Sequence, residues 1–195
     1  RVDSGFTEYF GHGPEYRFST PGRSELGGNH TDHNHGRVLA ASVDLDTIAA
    51  VSPTEEPVVR MVSEGYEGEF TVDQSSLDPE PGEEGTTSAL IRGIAAGFQR
   101  AGYRIGGFEA SVTSRVAGGS GLSSSAAVEV LIGTVFNRLY NDGVIDSVDI
   151  AKIGRYAENV YFGKPCGLMD QIACAHGGIV AIDFFDPDNP LVTGV

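Results

Sequence analysis

The chain has 195 residues, with 13 Lys and Arg against 27 Asp and Glu, a formal net charge of −14 and a sequence pI of about 4.6. Such an acidic surface excludes a protein that grips a nucleic-acid backbone, which needs a basic face, though one local pocket can still hold an anion. Hydrophobic residues make up 40% of the chain, enough to bury a core, and no apolar run is long enough to span a membrane. The first residues, RVDSGFTEYF, lack the basic and apolar regions of a signal peptide. They also lack an initiator Met, so the N-terminus reads as trimmed or incomplete. Cys166 and Cys174 are too few for a disulfide framework and fit a reducing, cytoplasmic compartment; both read as small packing residues.

In chain order, glycine stands out first: its 27 occurrences are about twice ordinary usage. They gather in PGRSELGGNHTDHNHG (21–36), AGGSGLSSSAA (117–127) and FGKPCGLMDQIACAHGG (162–178). Between these clusters the elements are ordinary. Residues 38–51, small and β-branched, predict a long buried strand, and 58–63 with 69–73 predict a hairpin. The acid-rich stretch 73–87 predicts a solvated loop. Thr87 or Ser88 is expected to cap a helix that carries Leu90, Ile91, Ile94, Ala95 and Phe98 inward and stops at Gly102. Residues 106–116 alternate, with Phe108, Ala110 and Val112 on one face, and predict a half-buried strand. Helices are expected over 123–140 and, capped by Ser147, from 147 to about 162, with Gly163 at the end. A last strand is expected over 177–185. Strands and helices mix without regular βαβ alternation, so the expected class is α+β.

The glycine clusters carry the chemistry. AGGSGLSSSAAVEV (117–130) follows a strand and opens a helix. Small residues admit a ligand close to the backbone, and the helix start offers unpaired N–H groups and a positive dipole end, which suit phosphate. A plain glycine turn with a serine cap has the same sequence. The segment is neither the nucleoside-triphosphatase P-loop, since no Lys follows, nor a dinucleotide fingerprint. Arg23, His30, Asp32, His33 and His35 allow two readings, a metal cluster or a polyol site of short, fixed donors and acceptors. Asp170 opens a helix, where an Asp serves as a cap or as a reactive carboxylate. Glu158 shares a helix face with Gly154 and Tyr161. It reads either as a surface acid or as a carboxylate above a glycine gap with room for a cation.

Three of these segments resemble, in order, motifs of the galactokinases within the GHMP small-molecule kinase family. PGRSELGGNHTDHNHGRVL resembles the galactokinase signature, GGSGLSSSAA the second GHMP motif, and ENVYFGKPCGLMDQ the segment that carries the family's catalytic Asp. The resemblance implies an α+β domain with a mixed sheet and packed helices, like the second domain of ribosomal protein S5. It makes residues 1–195 the N-terminal domain of a GHMP kinase, with a sugar-binding segment at 21–40, a phosphate loop at 117–127 and a catalytic segment at 158–171. The C-terminal domain, with its further glycine-rich motif, is expected to be absent from this chain, and the site to lie in the cleft between the two.

By the same resemblance Asp170 and Arg23 are catalytic, and Asn29, His30, Asp32, Gly167 and Asp170 bind the sugar. Gly118, Gly119, Ser120, Gly121, Leu122, Ser123, Ser124 and Ser125 hold the nucleotide phosphates, and Ser125 and Glu158 ligate Mg²⁺. The implied reaction is ATP-dependent phosphorylation of galactose at its anomeric C1 hydroxyl by a cytoplasmic, monomeric enzyme that needs neither nucleic acid nor membrane. Little activity is expected of these residues alone. The sequence departs from the signature at Glu25, Gly27, Asn29, His33 and Ala40. Asn29 stands where the family has a Glu that accepts from the sugar 6-hydroxyl, which keeps a uronic acid or an N-acetylhexosamine open as the acceptor. A non-catalytic galactose sensor is the other alternative; the intact GLSSSAA favours an enzyme.

Overall fold

The computed structural model describes residues 1–195. It is organised by one strand, Arg37–Thr54, which is β2 in chain order. Strand β1 (Tyr16–Gly27) runs antiparallel along one edge of β2, with a register shift between Pro21 and Arg23. The other edge of β2 is shared. Its second half pairs with β5 (Gly107–Ser114) and its first with β6 (Ile179–Asp183), both antiparallel. The hairpin β3 (Val58–Ser63) and β4 (Phe70–Asp73) joins β5 through a parallel β3–β5 pair, and β7 (Leu191–Gly194) closes the far side against β6. The result is a seven-stranded mixed sheet, and the expected α+β class holds.

Because β2 changes partner midway, the core is split. Ala49, Val51, Phe108, Ala110 and Val112 of β2 and β5 pack under α2 (Thr87–Arg100) and α3 (Ser124–Tyr140). Val38, Ala40, Val180 and Ile182 pack instead with Met169 and Ile172 of α5 (Met169–His176). The loops that leave β5 and precede β6 meet where the partners change: Arg115 N–H donates to Asp46 at 2.9 Å and Ser42 N–H to Gly178 at 2.8 Å. The 117–127 loop and the 163–178 segment are thereby brought to one place.

Helix α4 (Ser147–Ala157) crosses α2 at very close range. A Cβ on Gly93 would lie 2.7 Å from Ala157 Cβ, and one on Gly97 2.7 Å from Ile153 Cγ2. After Ala157 the helix widens into a π turn, Glu158–Phe162, which ends at Gly163 in a left-handed conformation. Such single wide turns are concentrated at functional sites; here it carries Glu158.

Several sequence expectations need correction. The helix caps are Thr86, whose hydroxyl accepts from the Ala89 amide at 3.2 Å, and Asp146, rather than Thr87 or Ser88 and Ser147. The helix expected from 147 to 162 is regular only to Ala157. Helix α1 (Val2–Phe10), β1 and β7 were not expected at all. α1 buries only Phe6. The inward positions of β1 are Thr20, Gly22 and Arg23 rather than Val or Ile, so neither segment shows an apolar period. Thus residues 21–27, read from sequence as part of a ligand loop, are strand.

Candidate active site

Two small clusters stand side by side because their members alternate along two helix starts. The first surrounds Asp170, in the opening turn of α5. Arg23, buried on β1, donates from Nε to Asp170 Oδ1 at 2.7 Å. Ser123 donates from its hydroxyl to Oδ2 at 2.7 Å. Arg23 is held in turn by the loop: its Nη1 donates to the Gly121 carbonyl at 2.9 Å and its backbone N–H to that of Leu122 at 3.1 Å. Burial pushes the Asp170 carboxyl up. The hydrogen bond and charge of Arg23, with the Ser123 hydroxyl and the charge of His30, outweigh it and leave the pKa below the ordinary value. Asp170 is therefore a carboxylate at neutral pH.

The second cluster surrounds Glu158, which is buried in the π turn. Its Oε1 accepts from the Ser125 hydroxyl at 3.1 Å and lies 3.5 Å from Lys164 Nζ. Its Oε2 accepts from Gln171 Nε2 at 2.8 Å and from the Cys166 thiol at 3.3 Å. Gln171, next to Asp170 in sequence, also donates to Glu129 at 3.0 Å. Glu129 is fully buried on α3; burial, then the charge of Glu158, push its carboxyl well above the ordinary value. The Gly154 gap does not open toward a cation as expected. It is filled by Glu129, whose Oε2 would stand 3.1 Å from a Cβ there. Burial and the charge of Glu158 also raise the Cys166 pKa, which keeps it a thiol and fits packing rather than redox chemistry.

The sugar-segment residues fall into two groups. Asp32, in a short 3-10 turn (Thr31–Asn34), is buried, and its Oδ1 has no hydrogen-bond partner. It faces Gly167 so closely that a Cβ there would lie 1.9 Å from Asp32 Oδ2. Asn29 and His30 are exposed and both hold left-handed backbone, with φ 54° and 52°. Glu25 fastens this bend, since it accepts the His30 N–H at 3.0 Å and pairs with the His30 ring. The His30 amide in particular outweighs burial and holds the Glu25 carboxyl below its ordinary range. His33 lies 3.7 Å from Asp32, beyond hydrogen bonding, and the ring of His35 pairs with the Phe185 carbonyl. The histidines do not converge, and no group of three His, Cys, Asp or Glu is arranged to hold a metal.

The phosphate-loop residues line one open edge. Gly118, Gly119, Ser120 and Gly121 are exposed, and a Cβ at any of these three glycines would meet nothing within 4 Å. Gly119 and Gly121 need their residue type for φ 73° and 77°. Leu122 lends its carbonyl to Arg23, and Ser120 closes the turn onto the Ala117 carbonyl at 2.6 Å. Ser124 and Ser125 face a cavity of about 420 Å³. Its other walls include Met61, Phe70, Leu90, Val112 and Phe162. Sequence reasoning missed Glu129 and Gln171, which looked like ordinary helix residues, and the bonding of Ser123, which looked like a phosphate ligand. Only burial reveals them.

Residues 89–178 match the family model of the GHMP kinases N terminal domain, and residues 4–53 that of the galactokinase galactose-binding signature. The galactokinase of Lactococcus lactis, solved with galactose, superposes with a TM-score of 0.87 at 29% identity, over 99% of this chain and 50% of that one. A D-glycero-D-manno-heptose 1-phosphate kinase from Bacteriodes thetaiotaomicron (TM-score 0.74, 21% identity, 92% of this chain and 59% of that one) shares the fold. So does the mevalonate kinase of Methanococcus jannaschii (TM-score 0.74, 18% identity, 94% and 56%). The chain spans about half the length of these solved relatives. The two matched models span most of the chain, in the order in which its site residues occur. The chain belongs to the GHMP kinases: it carries their N-terminal domain together with the galactokinase galactose-binding signature.

Proposed function

We propose that the protein is a sugar kinase that transfers the γ-phosphoryl group of ATP to the anomeric hydroxyl of galactose. The observation that carries this is the carboxylate of Asp170, ionised and clamped by Arg23 and Ser123, joined through them to a glycine–serine loop at a helix start. The galactose-binding signature over residues 4–53 supports galactose as the acceptor.

Phosphoryl transfer through a loose transition state asks mainly for positioning and charge neutralisation. Each Asp170 oxygen accepts one bond within the protein and keeps acceptor capacity for a sugar hydroxyl. Asp170 thus orients that hydroxyl and takes its proton late, when the leaving β-phosphate has freed the phosphoryl group; a carboxylate with a lowered pKa suffices for this. Arg23 commits Nε and Nη1 to Asp170 and Gly121, and its remaining N–H groups serve the phosphoryl oxygens. The unpartnered Oδ1 of Asp32, beside Gly167, suits a hydroxyl donor of the sugar. Backbone amides at the start of α3 receive the phosphates, and the apolar part of the 420 Å³ cavity suits the base.

Ser125 and Glu158, whose oxygens lie 3.1 Å apart, are a hard-oxygen pair that fits Mg²⁺, with phosphate and water completing its shell. Lys164, largely exposed, is free to swing away from Glu158. When bound there, Mg²⁺ supplies positive charge to the phosphate oxygens. The test is ³¹P NMR of the products formed from ATP and a panel of sugars by the protein that contains this chain. Galactose 1-phosphate as the preferred product is expected. Equal rates on galacturonate, which Asn29 in place of a Glu would tolerate, would overturn galactose.

A further inference from the structure

We propose that Ser123 is a positioning residue: from a left-handed backbone at the start of α3, its hydroxyl sets the plane of the Asp170 carboxylate and ties it to the phosphate loop. This rests on the reading that Asp170 receives the acceptor proton.

Ser123 occupies the N-cap position of α3, where a serine ordinarily has extended backbone and accepts a bond from a first-turn amide. Here it has φ 60° and ψ 58° and makes no capping bond. The left-handed conformation is disfavoured for any L residue other than glycine, and in the same loop the other positive-φ positions, 119 and 121, are both glycine. Glycine would satisfy the backbone at position 123 without strain. A side chain held there against its preference, with its cap forgone, points to a function for the side chain. The hydroxyl makes a single bond, to Asp170 Oδ2 at 2.7 Å.

The three consecutive serines diverge. Ser123 goes to Asp170, Ser124 lines the 420 Å³ cavity and Ser125 goes to Glu158. One turn of chain thus addresses the acceptor carboxylate, the nucleotide side and the second acid. The Asp170 carboxylate needs two donors to fix it, since one bond alone leaves rotation about Cβ–Cγ. Arg23 supplies the donor on Oδ1 and Ser123 the donor on Oδ2. Arg23 itself is bonded to Gly121 and Leu122. Residues 121–123 therefore hold both clamps, so a shift of the loop on taking up phosphate carries Asp170 and Arg23 with it.

The test compares Ser123→Ala and Ser123→Gly in the kinase that contains this chain. Both remove the hydroxyl, and only the glycine variant also relieves the backbone, so it is expected to fold even where the alanine variant does not. Both are expected to lower kcat on the order of ten-fold and to leave the KM for ATP within about two-fold. Both should raise the Asp170 pKa, since the Ser123 hydroxyl bond helps to hold it down, read by ¹³C-carboxyl NMR titration and by the acidic limb of kcat/KM. The glycine variant should melt above the alanine variant, since both lose the bond and only glycine takes up φ 60° without strain. An unchanged Asp170 titration in both variants overturns the proposal, as does recovery of full kcat in the glycine variant, which would make the role one of stability alone. Absence of phosphoryl transfer from the parent to any sugar overturns the functional reading. The Asp170 titration then decides the hold of Ser123 by itself, supported by a raised pKa and overturned by an unchanged one.

Discussion

Asp170 shows how far one residue depends on its neighbours. Burial alone would push its carboxyl up, and Arg23 and Ser123, with the charge of His30, outweigh this. Asp170→Asn is expected to lower kcat by about a hundred- to ten-thousand-fold, the range over which a positioned acid–base group acts, in a coupled assay of ADP release. It also leaves the buried Arg23 without its carboxylate, at about 1–3 kcal/mol of stability. The sign with pH follows from the lowered pKa. The Asp170 contribution is present above its unfolded value of about 3.9 and is lost as pH falls through the lower folded value. Urea midpoints of parent and variant should thus differ at pH 7 and converge below about pH 4. Gly167 is a second sensitive residue, since its Cβ would fall 1.9 Å from Asp32 Oδ2. Gly167→Ala should raise the sugar KM and cost about 1–3 kcal/mol by overpacking, measured by sugar kinetics and thermal melting. Arg23, Asp32 and Asp170 were legible from residue type within recognisable motifs. The raised pKa of Glu129 and the bond from Ser123 were not, because both depend on what α5 and the π turn bring against them.

At the scale of elements, the site is set by β2 and by one helix crossing. The change of partner along β2 puts the two glycine-rich loops together. The α2–α4 contact at Gly93 packs on Ala157, the last residue of α4, and on Tyr161 of the π turn, beside Glu158. Gly93→Ala gains about 1 kcal/mol in helix propensity, but its Cβ meets Ala157 Cα at 2.9 Å, backbone that cannot yield cheaply. Overpacking of about 1–3 kcal/mol should win, and a lower urea midpoint with an unchanged m-value would show it. Most elements were legible: β3 was placed to the residue, and α2, α3, β2, β5 and β6 within a few residues at their ends. The misses, α1, β1 and β7, are elements whose burial is slight or whose inward residues are Thr, Gly and Arg. Their strand or helix character comes from partners distant in sequence, as in the pairing of Tyr16 with Val51, which no local period records.

For the molecule as a whole, net charge says little about the site. A chain of charge −14 still places Arg23 and Lys164 beside the α3 helix start, while most of its other basic residues are paired elsewhere on the molecule. No helix is long and apolar enough to cross a membrane. Exposed apolar residues gather beside β6 and β7, at Ile179, Phe185, Leu191 and Val195. The 195-residue chain spans half of the Lactococcus kinase, so its turnover is expected to be far below that of a full-length relative when the two are assayed side by side by ³¹P NMR. Equal turnover would show that these residues hold a complete site.

The sequence by itself determined the class of fold, most of its elements and the three loops that carry chemistry. Those follow from local periodicity, from the cost of glycine anywhere but in turns and close approaches, and from short motifs of fixed spacing. The tertiary structure alone decided which groups meet: that Ser123 serves Asp170 rather than capping its helix, that Glu129 fills the gap below Glu158, and that Glu25 fastens the bend at His30. The physical reason is that hydrogen bonding and burial are properties of pairs. Both depend on strands and helices dozens of residues apart, and a linear pattern carries only what a residue does for its near neighbours.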